Sequence, residues 1–165
     1  ASYMGQDERE VDRFLQDQQA LQFFILWSMF EANCFDGFVK EKQLKCFAQH
    51  TAVRNPQICA DLSKPLSHFH SRYQSRTKLH HLMHDRDRPD IKPMLDKKVE
   101  TLESWEELFL LVAVVYRYRN NIFHGNKGIQ SWLRYSEQIE HCNRVMKILI
   151  SVSPVAEQKR AAYAA

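Results

Sequence analysis

The stretch SWEELFLLVAVVYRYRNNIFHG, residues 104–125, decides the fold. Ser104 with Glu107 three positions later reads as a capping box, and Leu108, Val112 and Val115 then fall along one helical stripe that Gly125 ends. Outward from that helix, the chain stays helical. Between Asp7 and Asp36 there is no Gly or Pro, and Phe24, Trp27, Cys34 and Phe38 recur at three- and four-residue steps before Gly37 offers a stop. A shorter helix is expected over Val39 to His50, closed by the Asn55-Pro56 turn. Ser63 followed by Pro65 reads as the start of another, which reaches about Asp85 with Leu66, Phe69, Tyr73, Leu79 and Met83 as its stripe. Pro89 and Pro93 bracket an expected long loop over residues 86–100. A last helix is expected from about Ser131, with Trp132, Tyr135, Ile139, Cys142, Met146 and Leu149 on one face, fraying before Pro154. Nothing argues for a sheet. The expected fold is all-α: an antiparallel bundle of four longer helices plus one short helix.

Composition bounds the function. The 165 residues are expected to form one unit, residues 1–165 with a core over about 7–153 and a short tail, and no modular multidomain enzyme is expected in them. Apolar residues make up 44% and charged ones 26%, with 4 Gly and 5 Pro, so a disordered or fibrous chain is excluded. A net charge of +3 permits a polyanionic partner without demonstrating one. Cys34, Cys46, Cys59 and Cys142 form no C-x-x-C pair and read as reduced, packed thiols. The longest apolar run, Leu108 to Tyr116, is about half of what a bilayer-spanning helix needs, and no signal-peptide pattern is read, so no membrane partner and a cytoplasmic location are expected.

Two charges interrupt the apolar stripes. In steps of four and three the helix quoted above runs Leu108, Val112, Val115, Arg119, Ile122, which places an arginine at a core position. A guanidinium keeps its charge, so its burial calls for an anion, from the protein or from a ligand. The first helix runs Phe24, Trp27, Glu31, Cys34, Phe38 by the same count, and Glu31 is the expected partner of Arg119. A purely structural ion pair is the plain reading of that arrangement. The residues after Arg119 add to it: Asn120, Asn121, Ile122, Phe123 and His124 crowd amides and an imidazole into one helix end. Arg117, Asn120, Asn121 and His124 share a polar stripe beside the apolar one. His124 lies in the last turn, where the negative end of the helix dipole favours imidazolium and holds its titration near neutral pH.

The run Arg119-Asn120-x-x-x-His124 at the end of a late bundle helix resembles the R-x4-6-H signature of the HEPN superfamily, in which a polar residue commonly follows the Arg. The motif covers six residues, and the expected bundle extends the likeness over roughly residues 7–153. The resemblance implies a small helical bundle acting as a metal-independent endoribonuclease. Such enzymes are known from toxin–antitoxin, abortive-infection and antiviral defence systems, usually as homodimers in which two copies of the Arg and His build one composite site. It also implies an RNA substrate, no cofactor, and in the toxin members an antitoxin or other regulatory protein as partner. One toxin branch has a Tyr two residues after the His; Asn126 stands there, so this chain resembles another lineage.

On that reading His124 moves protons, Arg119 steadies phosphate charge through its planar fork, and Asn120 orients His124 or holds a phosphate. Lys64 to His84 carries Lys64, Arg72, Arg76 and Lys78 with five histidines and no acid; Arg72, Arg76 and Lys78, with Arg117 and Asn121, are the expected RNA contacts, a solvated helix face being the alternative. His80, His81 and His84 have a spacing that suits zinc, but no carboxylate or cysteine completes a set nearby, so no metal site is expected. Trp105 and Trp132 flank the motif helix and the loop after it, and core packing is the expected role of both. Two other classes stand beside the nuclease: a non-catalytic HEPN-like module for nucleotide binding or dimerisation, and a zinc enzyme built on the histidine cluster.

Overall fold

The computed structural model describes residues 2–3, 6–7, 9, 12, 16–84, 88–123 and 134–155. Ser2–Tyr3 (β1) and Gln6–Asp7 (β2) pair antiparallel, with Ser2 opposite Asp7 and Tyr3 opposite Gln6, a ladder too short to bury a face. All other regular structure among the described residues is helical. Helix α1 spans Gln18–Cys34 and starts where the Asp17 carboxylate accepts the N–H groups of Gln19 and Ala20 at 2.9 and 3.4 Å. Its buried face is Ala20, Phe23, Leu26, Trp27 and Phe30; of the expected stripe Trp27 lies on it, while Phe24 and Cys34 are half-buried beside it. Phe38 is 71% exposed, because the helix has already ended and Gly37, at φ 86°, turns the chain away.

A 3₁₀ turn at Glu41–Gln43 leads into α2 (Leu44–Arg54), so the second helix begins later than Val39 and runs past His50. Helix α3 (Ile58–Arg72) starts before Ser63 and carries Pro65 in its interior. Pro65 tolerates this because helical φ is the angle its ring imposes; the cost is one missing donor to the Asp61 carbonyl. The segment expected to run unbroken to Asp85 is two helices. Tyr73 closes α3, and the Ser75 hydroxyl accepts the Lys78 N–H at 3.4 Å to open α4 (Arg76–Met83). The expected loop over 86–100 also contains structure, namely α5 (Lys92–Asp96) and a 3₁₀ turn at Val99–Thr101. Pro93 lies in the first turn of α5, where a missing N–H costs nothing, and Ile91, Met94 and Leu95 are buried.

Helix α6 (Ser104–Phe123) is central. Its start differs from the expected box: the Glu106 carboxylate, not Glu107, reaches back to the N–H of Glu103 at 3.0 Å and is held by Lys97 Nζ at 2.7 Å. From Leu108 to Val115 every residue is buried, so this half has no solvent face, and α2, α3, α4 and α7 (Ser136–Ser151) surround it. Helix α1 packs chiefly on α7, whose Ile139, Cys142, Met146 and Leu149 are buried on the expected face. The chain is an all-α bundle of four longer helices, α1, α3, α6 and α7, with three shorter ones rather than one among the described residues. None of the described helices is long and apolar enough to cross a membrane. The four cysteines are free, with Cys142 buried and Cys46 exposed on α2 rather than packed.

Candidate active site

Beyond Val115 the central helix changes character. Tyr116 through Ile122 put polar groups on several sides at once, and each side meets a different helix. On one side the hydroxyls of Tyr118 and Tyr73 meet at 2.8 Å, buried between α6 and the end of α3. Burial pushes both phenols far above their ordinary range, so both stay protonated.

On the next side Arg117 Nε and Asn121 Nδ2 donate to the same carbonyl, that of Leu82, at 3.4 and 3.0 Å. Leu82 is in the last turn of α4, where carbonyls lack helical partners, and the two side chains one turn apart on α6 supply the missing donors. Arg117 is 5% exposed. This corrects its assignment as an RNA contact: its guanidinium is inside the protein, tying α6 to α4.

Toward α1, Arg119 is half-buried, its Cζ 5.5 Å from the centroid of the Trp27 ring and its Nη1 donating to Asn120 Oδ1 at 3.0 Å. The expected pairing with Glu31 is not formed. Glu31 Oε1 accepts the Val39 N–H at 3.2 Å and so holds the turn after α1, while Trp27, one helical turn earlier, presents its face to the cation. Asn120 is engaged by Arg119, and Asn121 belongs to the α4 contact; His124, which Asn120 was expected to orient, and Trp132 lie outside the described residues. Trp105 is half-buried, with its Nε1–H on Glu103 Oε2 at 2.9 Å.

The last turns of α6 also wall a cleft of about 90 Å³, room for a small polar group and its waters. Arg72, Lys78 and His81 contribute its cationic and titratable groups, Asn121 an amide, and Tyr73, Tyr118, Tyr135 and Ile139 its floor and walls. No carboxylate lines it among the described residues. Arg72 stacks over Tyr135 at 5.9 Å, and its buried Nε has no acceptor among the described residues. Of the expected basic contacts, Arg72 and Lys78 converge here; Arg76 is exposed on α4 outside the cleft lining. Among the described residues the lining sets two cations beside phenols with no carboxylate, a composition that suits an anion.

A second cluster went unseen in the sequence. His68 on α3 stacks against His141 on α7 at 4.1 Å, and Glu137 completes a trio whose ligand atoms lie within 4.8 Å of one another. Burial holds both imidazoles below their ordinary titration range; Glu137 works against this for each, and Arg72 adds to it for His68 and His68 itself for His141. The only sequence signal was the four-residue spacing of Glu137 and His141. His80, His81 and His84 do not converge: His81 faces the cleft, and His84 caps α4 in a left-handed conformation at φ 50°.

No protein-family model, curated protein or solved structure matches this chain.

Proposed function

We propose that this chain is a metal-independent endoribonuclease of the HEPN kind, cleaving RNA through the 2′-hydroxyl. The observation that carries the reading is the placement of Arg119. A permanent cation is half-buried on the Trp27 ring, its Nη1 on Asn120, five residues before His124; on another side the same last turns of α6 wall, through Tyr118, Asn121 and Ile122, a cationic cleft with no carboxylate among the described residues.

In this reading the 2′-oxygen attacks the adjacent phosphorus as His124 takes its proton, and the bond to the 5′-oxygen breaks as that oxygen gains a proton. The second His124 of a homodimer supplies that proton. Arg119 faces the extra negative charge of the phosphorane, where a preorganised donor pair in a partly dry site is worth more than in water. The products are a 2′,3′-cyclic phosphate and a 5′-hydroxyl. Arg72 and Lys78 hold a neighbouring phosphate, and Tyr135 beneath Arg72 offers a stacking surface. Leu21, Ile25 and Met29, exposed at four-residue steps along α1, give a second copy an apolar surface to cover.

The test is an RNA oligonucleotide with one 2′-deoxy nucleotide at the mapped cleavage position, incubated in EDTA. Loss of cleavage at that position alone supports the reading, and cleavage through the deoxy position overturns it. The cleft favours one second reading, a non-catalytic nucleotide-binding module: Arg72, Lys78 and His81 over three tyrosines suit a nucleotide's phosphate and base without any reaction. That reading gives binding with no product.

A further inference from the structure

The geometry points to a divalent transition-metal site of the Zn²⁺ class formed by His68, Glu137 and His141, clamping α3 to α7. Two imidazoles and a carboxylate are the ligand types zinc takes, and three protein ligands with a water in the fourth position is a common zinc arrangement. Glu137 and His141 stand one turn apart on α7, so both project to the same side, and His68 meets them from α3 across the helix interface. His68 Nδ1 is 3.7 Å from Glu137 Oε1, and the three ligand atoms are all within 4.8 Å. Tetrahedral coordination at about 2.0–2.1 Å brings ligand atoms to roughly 3.4 Å apart. The remaining contraction is a matter of side-chain rotation, and Glu137, whose side chain is 69% exposed, is free to make it. The Gln138 side-chain amide lies 3.3 Å from His68 Nε2; turned so that its oxygen faces the ring, it accepts the Nε2–H of an imidazole that ligates through Nδ1.

The position gives the site a consequence. Arg72 is one turn beyond His68 on α3, while Tyr135, the residue before α7, and Ile139 flank Glu137, and all three line the cationic cleft. A metal joining α3 to α7 therefore fixes the spacing of two cleft walls. It takes no part in cleavage, which the proposed chemistry carries out without metal.

The experiment is calorimetric titration of Zn²⁺ into the metal-stripped, reduced full-length chain, followed by visible absorption after Co²⁺ replaces it. One equivalent of Zn²⁺ and a tetrahedral Co²⁺ band are expected. Glu137→Gln, an exposed change that leaves folding intact, should weaken binding at least tenfold, and His68→Ala with His141→Ala should abolish the site. A control carrying His80→Ala and His84→Ala should bind as the wild type does. An absence of binding by the wild type, or binding unchanged in Glu137→Gln and in the His68→Ala/His141→Ala variant, overturns the inference. No RNA is present, so the outcome is independent of whether the chain cleaves RNA.

Discussion

The hydroxyl of Tyr118 on the central helix and that of Tyr73 at the end of α3 are each other's partner, 2.8 Å apart beneath the cationic cleft. This pair joins α6 to the end of α3, and its energetics are directional. Removing one hydroxyl leaves the other buried without its partner, whereas removing both leaves two phenyl rings of nearly the same shape. Tyr118→Phe should therefore cost about 1–2 kcal/mol, and adding Tyr73→Phe should return part of that loss. A urea-unfolding double-mutant cycle measures the coupling; strictly additive losses would show that the two hydroxyls act independently.

The cleft and the buried face of α6 separate two kinds of arginine. Arg72→Ala and Lys78→Ala should each weaken RNA binding and lower the slope of log affinity against log salt by about 0.7, one phosphate contact each. Arg117→Ala should leave the slope unchanged and instead destabilise the fold by about 1–3 kcal/mol, since the Leu82 carbonyl loses one of two donors and the packed side chain is removed. Filter binding at several salt concentrations, beside thermal melts, distinguishes the two. A lowered slope for Arg117→Ala with no loss of stability would place its guanidinium at the surface.

Glu106 links stability to pH. The Lys97 ammonium, through its hydrogen bond, and the Glu103 N–H hold the Glu106 carboxyl below its ordinary value of 4.5, against the opposing effect of burial. A carboxyl depressed in the folded state binds protons less readily there than in the unfolded chain. Its contribution is complete above pH 4.5 and is lost as the pH falls below that value through the folded-state titration. Wild type should therefore exceed Glu106→Gln in melting temperature at pH 6–7, and the gap should narrow between pH 4.5 and pH 3. A gap constant over that range would mean that the ionised form adds nothing.

The parts of this fold that were legible in the sequence are those with long, unambiguous apolar periods. Helix α7 showed its buried face in Ile139, Cys142, Met146 and Leu149, and the run after Glu107 showed a helix with the stripe Leu108, Val112 and Val115, although the structure buries every residue from Leu108 to Val115. What escaped were local decisions taken by tertiary contacts. Pro65 looked like a helix start because proline favours first turns, yet α3 had begun at Ile58 and accepted one lost hydrogen bond. Glu31 and Arg119 were matched by charge alone; a nearby turn needed the carboxylate and Trp27 offered the cation its ring. The buried state of Arg117 depends on where α4 ends, and the His68–His141 stack on how α3 crosses α7. Neither is encoded in spacing along one helix.

The central claim is that Arg119 and His124 act together on a phosphodiester. Its most direct test is single-turnover cleavage of end-labelled RNA in EDTA by the wild type, Arg119→Ala and His124→Ala, with folding of each confirmed by circular dichroism and product ends read chemically. The account predicts wild-type products ending in 2′,3′-cyclic phosphate and 5′-hydroxyl, and rates at least 100-fold lower for both variants. Undiminished cleavage by either folded variant, or wild-type cleavage that EDTA abolishes, would contradict it.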